Sequence, residues 1–573
     1  MRTSPRRLHA FWLFFGLLAC FAACKNPTPD PTPPPPVVPT IVSIDPATAP
    51  VGSTIAINGT NFSTTPGSNT ITIGGVTATI VSASATRLVV TIPAGAQSGP
   101  ISVTVSGSAA IQSPTSFTVA PKPLKPVVEL QGTFFRNRTL SKDTIYLLRG
   151  FVYVAANYTM TIQAGTVIKG AGADLDPTGQ SNAGTLVVER VGKLIANGTA
   201  SEPIVFTSNK AAGQRFPGDW GGIVLIGKSP TNRPGSTTYF GGVRGNAETY
   251  NEPEDNSGSL QYVRIEYAGT GQRGTPNGKL GGLTLIGVGN GTVINHVQVT
   301  QSSGDAYAWF GGTAQAKYLV ANRATDDDWS TDWGYTGQVQ FGVALRDAAV
   351  ADPSGSNGFE SQNYDPGENA DGTPLTRQNG LPQTAPVFAN MSNFGTSTTP
   401  VAITAASAIL GYYQSGIYLR RNTGISIYNS LIYGYPEGVR FEGSVTGIGA
   451  SLTSTAGIID LRGNVFANTL SPVVGGLAVT DAAANTYLTT ATRQNQLVGS
   501  GDIGALMLNS ANFSTSAPNF LPQTGSTLLG GAVTGGKLTS SFFTQTTYRG
   551  AFGTENWISG WTNFNPQTTD YDR

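Results

Sequence analysis

The sequence predicts an all-β protein, an immunoglobulin-like sandwich followed by a right-handed parallel β-helix solenoid. Three observations predict it. Gly accounts for 72 of 573 residues and charged residues for 12%, against usual shares of about 7% and about 25%. The bias toward Gly, Thr, Ser, Asn and Val has no collagen period and suits short strands joined by many tight turns. Beyond residue 128, apolar strand segments recur about every 20 to 25 residues without helical periodicity, as a stacked solenoid requires.

The chain opens with Arg2, Arg6 and Arg7, a short apolar run from Phe11 to Ala19, and the small pair Ala22-Ala23 before Cys24. That run is too short to span a bilayer and ends in small residues, so residues 1–23 read as a secretory signal. A cysteine directly after such a site resembles the lipobox of bacterial lipoproteins, which implies that Cys24 is lipidated and becomes the N-terminus. Leu17-Leu18-Ala19-Cys20 is the rival lipobox. Both cysteines lie here, so nothing downstream forms a disulfide or a thiolate metal site. Residues 24–38 form the anchor and a proline-rich stalk. Residues 27–39 hold eight prolines and extend as polyproline II for roughly 40 Å.

Residues 39–120 alternate apolar and polar positions between Gly and Pro turns. Examples are Ile41-Val42-Ser43-Ile44, Ile71-Thr72-Ile73-Gly74-Gly75, Leu88-Val89-Val90-Thr91-Ile92 and Ile101-Ser102-Val103-Thr104-Val105. Such spacing argues for a small antiparallel sandwich. These phrases, with Gly59-Thr60-Asn61-Phe62, resemble the IPT/TIG domain, which implies a spacer or binding module. Residues 121–127 read as a linker.

Residues 128–573 read as the β-helix, from Thr159-Met160-Thr161-Ile162 through Leu283-Thr284-Leu285-Ile286 to Ile458-Ile459-Asp460-Leu461. Each coil buries its inward side chains only against its neighbours, and Gly or Asn relieves the turns. A β-propeller is the structural alternative, but no blade period is present. Gly218-Asp219-Trp220-Gly221-Gly222, Ala308-Trp309-Phe310-Gly311-Gly312 and Asp326-Asp327-Asp328-Trp329 resemble uncharacterised β-helical lipoproteins of Gram-negative bacteria. So does the closing Gly560-Trp561-Thr562. The resemblance implies a fold and a location, not a chemistry.

The formal charge is +1 and turns slightly negative once the three leader arginines are gone. Nothing there favours nucleic acid. Only His9 and His296 occur, which disfavours multi-histidine zinc sites and confines any Ser-His-Asp arrangement to one place. His296 sits in an alternating strand, Val293 to Val299, and reads as packed on the wall.

The best chemical candidate is Asp326-Asp327-Asp328-Trp329-Ser330-Thr331-Asp332-Trp333-Gly334-Tyr335. Carboxylates this dense repel one another unless solvated or sharing a cation, and hard oxygen ligands suit Ca²⁺. Asp305 lies about one coil earlier and joins Asp326, Asp327, Asp328 and Asp332 as a candidate ligand. A solvated acidic turn remains the alternative, and the spacing is not that of an EF-hand. Trp309, Trp329, Trp333 and Tyr335 stand as candidates for stacking on a sugar if exposed, and for filling the bore if not. Two further acidic stretches, Glu248 to Asn256 and Asp352 to Asn390 with Glu360, Asp365, Glu368 and Asp371, read as surface loops.

The expected function is a non-catalytic binding or adhesion protein, a monomer anchored in the outer membrane and facing glycan or protein partners. Lys25 and Asn26 do not supply the aspartate that retains many lipoproteins at the inner membrane. The alternative is a Ca²⁺-dependent polysaccharide lyase with Arg323 as base, or a glycoside hydrolase pairing Asp305 with Asp327 or Asp328. It rests on fold analogy.

Overall fold

The computed structural model describes residues 38–121, 123–233, 239–245, 248, 250–270, 279–347, 350–352, 355–363, 380–398, 413–442, 459–476 and 479–572. Cys20, Cys24, the signal and most of the stalk lie outside the described residues, as do Asp365, Glu368 and Asp371. The chain divides into two compact units, residues 1–123 and 124–573.

In the first unit, two sheets of four and five strands face each other. Alternation along Thr54–Thr60, Asn69–Ile73, Arg87–Thr91 and Gly99–Val105 turns Ile55, Ile57, Ile71, Ile73, Leu88, Val90, Ile101 and Val103 into one shared core. This is the immunoglobulin-like sandwich.

The second unit is a parallel β-helix, in which the described residues form a 26-stranded sheet wound into a solenoid. Each central coil has three walls. Strands such as Val293–Thr300 supply the first wall with their leading half and the second with their trailing half, and Tyr307–Phe310 belongs to the third. The corner between the first two walls is one residue in the left-handed region: Tyr262, His296, Tyr318, Phe341 and Asn390 have φ of 50°, 54°, 60°, 63° and 53°. That conformation is unfavourable for bulky residues. Here it stacks their rings along the solenoid, with centroids 4.4 Å apart from Tyr262 to His296, 4.5 Å to Tyr318 and 5.1 Å onward to Phe341. Burial lowers the pKa of His296 to about 4. The imidazole is therefore a neutral member of an aromatic ladder.

Strand alternation fills the bore. In Tyr307–Phe310 and Trp329–Asp332, Tyr307, Trp309 and Trp329 turn inward. The far end of the bore is closed by a helix, α1 (Asp481–Thr489), which the strand-only reading of the sequence did not anticipate. The Thr480 hydroxyl accepts from the Ala483 amide, and Ala484, Tyr487 and Leu488 seal the core.

The ladder's last strand is Gln496–Val498, so the β-helix does not continue to residue 573. The remaining residues run back along the outside of the second wall as an irregular strap. Its Leu506, Phe520, Leu528, Phe552, Trp557, Trp561 and Phe564 pack on outward Val320, Val343, Leu345, Phe394, Leu431 and Val465. Alternate coils are tied to it through Asn429 to Val533, Gln340 to Thr544 and Gln298 to Asn563. It ends at the first coils, where the Tyr571 hydroxyl donates to buried Glu266 at 2.7 Å and Asp572 pairs with Lys169 at 2.5 Å.

Candidate functional site

The turns joining the second wall to the third lie one above another and carry the acidic residues. Asp305 and the pair Asp326-Asp327 come from successive coils, because Gly282 donates to the Asp305 carbonyl and Ala306 to that of Asp327. Carboxylate oxygens of Asp305, Asp326 and Asp327 all lie within 4.8 Å of one another. The next coil adds both Asp352 and Glu360. The Lys279 ammonium bridges Asp326 at 2.8 Å and Asp352 at 2.7 Å. Arg420 holds Glu360 at 3.0 Å.

Burial raises the Asp327 carboxyl, and the neighbouring Glu360, Asp326 and Asp305 push it further the same way. Asp327 accepts from the Asn357 backbone amide at 2.7 Å and side chain at 3.0 Å. Asp305 is likewise raised, first by burial and then by Asp326 and Glu360. Burial pushes Asp326 up to about 6 against the pull of Lys279. A site that keeps protons for want of positive charge is one that a cation would relieve.

The oxygens fit Ca²⁺. Ligands at 2.3–2.6 Å place opposite oxygens at most about 5 Å apart, which the three carboxylates satisfy. Asp305, Asp326 and Asp327 would hold the ion, with Asp352 and Glu360 nearby. Lys279, Asp352 and Glu360 join the cluster from distant sequence positions. Only the coil register, which pairs Ser330 with Glu360, brings them there.

Asp328 and Asp332 do not join it. Asp328 points into the bore, where its carboxylate meets Arg346 at 3.1 Å with both side chains 0% exposed. Asp332 lies farther along the third wall and accepts from the Trp333 amide at 2.6 Å. Four carboxylates close in sequence are separated because strand and turn geometry aim them differently.

The four aromatic candidates are corrected as well. Trp309, Trp329 and Tyr335 are 1%, 0% and 0% exposed. They stack in the bore, Trp309 on Tyr335 at 5.6 Å and Trp329 on Tyr307 at 5.2 Å. The Trp329 indole donates to Asn393 and the Tyr335 hydroxyl to the Ala314 carbonyl. Trp333 lies outside the bore but is covered, 3% exposed, against Phe310 with the Arg233 guanidinium over its ring. None of these rings presents a face to a sugar. Arg323, the candidate lyase base, is tied to Asp347 at 2.8 Å.

A pH dependence follows. Burial raises Asp326 to about 6 and Asp332 to about 7, against an ordinary value of about 3.9. A raised carboxyl leaves stability intact below the unfolded pKa and removes it as pH rises through the folded one. The metal-free chain is therefore expected to melt higher at pH 5 than at pH 8, with added Ca²⁺ restoring stability at pH 8. Equal melting temperatures without metal at the two pH values would contradict the electrostatics described.

Residues 132–503 match the family described as pectate-lyase like beta helix domain, and residues 39–119 match the IPT/TIG domain. No curated protein matches the chain. Several solved structures share a short stretch with it. An auxiliary nutrient binding protein from Bacteroides thetaiotaomicron VPI-5482 is 22% identical, with 15% of this chain and 21% of that one covered at a TM-score of 0.14. An auxiliary nutrient binding protein from Bacteroides ovatus ATCC 8483 is 20% identical, with the same coverage and TM-score. The chain thus spans about a fifth of their length. With residues 132–503 forming the matched solenoid, the chain belongs to the pectate-lyase-like beta-helix family and carries an IPT/TIG domain ahead of it.

Proposed function

We propose that the protein is an outer-membrane lipoprotein, held through Cys24 and facing the exterior, whose β-helix binds glycan or protein partners without catalysis. The observation that carries the non-catalytic reading is the pairing of the basic groups. Lys279 lies between Asp326 and Asp352, Arg420 on Glu360 and Arg323 on Asp347. A lyase needs a basic side chain free to take a proton, and these three are committed to carboxylates. The hydrolase pairing of Asp305 with Asp328 loses its second member to the bore. In this reading Ca²⁺ on Asp305, Asp326 and Asp327 shapes the turns of the binding surface.

The test is retention of the full chain in detergent on immobilised acidic and neutral polysaccharides, with Ca²⁺ and with excess chelator. Retention of at least one polysaccharide supports the reading, and loss of stability with chelator supports the ion. A melting curve that chelator leaves unchanged would sink the metal, and retention on none of the matrices would remove glycan as the partner.

A further inference from the structure

We propose that the turns joining the third wall to the first, in the N-terminal coils, form a binding cavity for a neutral oligosaccharide. The proposal rests on the reading of the protein as a binding platform and gives it a site away from the acidic cluster. The cavity measures about 590 Å³ and is lined by Val191, Lys193, Lys228, Glu252, Pro253 and Glu254, among others. That volume falls in the range of small-molecule sites, about 300–1,000 Å³.

Its wall is preformed. The Glu252 amide donates to the Lys228 carbonyl at 2.9 Å, Asp255 to that of Glu252 at 3.0 Å, and Asn290 to that of Pro253 at 3.0 Å. The Lys228 ammonium closes on Glu252 at 2.7 Å. A Cβ on Gly289 would stand 2.4 Å from the Asp255 amide nitrogen, so this glycine lets the neighbouring turn press the wall into place. A second cavity of about 270 Å³ is lined by Glu189, Arg190 and Arg244, among others. Residues 189 to 193 thus contribute to both hollows, which together offer room for more than one ring.

The lining argues for neutral sugar. Val191, a β-branched residue, is held at φ 67° and is 41% exposed at the cavity. Such a conformation is costly in a β-branched residue, and strain of this kind concentrates at ligand sites. With Pro253 it offers an apolar surface for the C–H face of a ring. Lys193 and Glu254 make no side-chain hydrogen bond or ion pair among the described residues. One open ammonium donates to hydroxyls and one open carboxylate accepts from them. Their charges balance, so a polyanion gains nothing there, whereas a neutral polyol is served by both.

The test is calorimetric titration of the full chain in detergent with cellohexaose, xylohexaose, maltohexaose and laminarihexaose, and with hexagalacturonate as the anionic control. At least one neutral hexaose is expected to bind, and Lys193→Ala and Glu254→Ala are each expected to weaken it about tenfold or more without changing the melting temperature. Lys142→Ala, at an exposed residue that lines neither cavity, is expected to leave that binding intact. Wild-type affinity in both cavity variants, or no binding of any neutral hexaose, overturns the proposal. Hexagalacturonate bound in place of the neutral sugars and unaffected by Lys193→Ala would do the same, while leaving the binding-platform reading in place.

Discussion

Deletion of residues 500–573 is expected to leave a chain that does not hold a stable solenoid. The strap supplies Leu506, Phe520, Leu528, Phe552, Trp557, Trp561 and Phe564 to one cluster with the second wall. Full burial of each such side chain is worth about 1.5–3 kcal/mol. Its removal also uncovers Val320, Val343, Leu345, Phe394, Leu431 and Val465, a contiguous apolar stripe of the kind that drives association. Single coils cannot stand alone, and the strap is the element that ties late coils to early ones. Circular dichroism melting and size-exclusion chromatography check this, with aggregation and a broad, lowered transition as the expected result. The point variant Trp561→Ala, 1% exposed in the native chain, is expected to cost about 3–5 kcal/mol. A truncated chain that melts like the parent would remove the strap from the account.

Arg346→Met is expected to be nearly as damaging, through charge rather than area. Arg346 faces Asp328 inside the bore and donates to the carbonyls of Asn357 at 3.0 Å, Asp326 at 2.7 Å and Ala324 at 3.3 Å. Without it Asp328 is a buried carboxylate with no countercharge, a loss of about 3–5 kcal/mol. Burial already holds Asp328 up at about 6 against the pull of Arg346. The double variant Arg346→Met with Asp328→Leu removes both charges and is expected to recover much of the loss, as double-mutant cycles detect. Because Arg346 also fixes the Asp326 carbonyl, the single variant is expected to weaken Ca²⁺ binding at the neighbouring carboxylates. Chemical denaturation and calcium titration measure the two effects. Equal stability of the single and double variants would show that the pair is not the source of the loss.

Much of the solenoid is legible in the sequence because each wall strand carries a local signal. Leu283-Thr284-Leu285-Ile286 and Thr159-Met160-Thr161-Ile162 show it directly. The strap has no such signal, since its apolar residues follow no period and are explained only by the stripe they cover, on strands distant in the chain. The acidic site is half legible. Asp305, Asp326 and Asp327 are visible as carboxylates one coil apart. Lys279, Asp352 and Glu360 are not, because loops of unequal length set which coil positions meet. The aromatic residues mislead for a different reason. Their neighbourhood in sequence suggests a surface patch, but period-two alternation in Tyr307–Phe310 already sends Trp309 inward beside Tyr307.

The most direct test of the central reading is product formation. The full chain, incubated in Ca²⁺ with the polysaccharides that retain it, is followed by ultraviolet absorbance of unsaturated ends and by reducing-end assay. The account predicts retained polysaccharide with no new ends of either kind. Steady turnover that disappears in Asp327→Ala would contradict it and make the acidic cluster a catalytic centre.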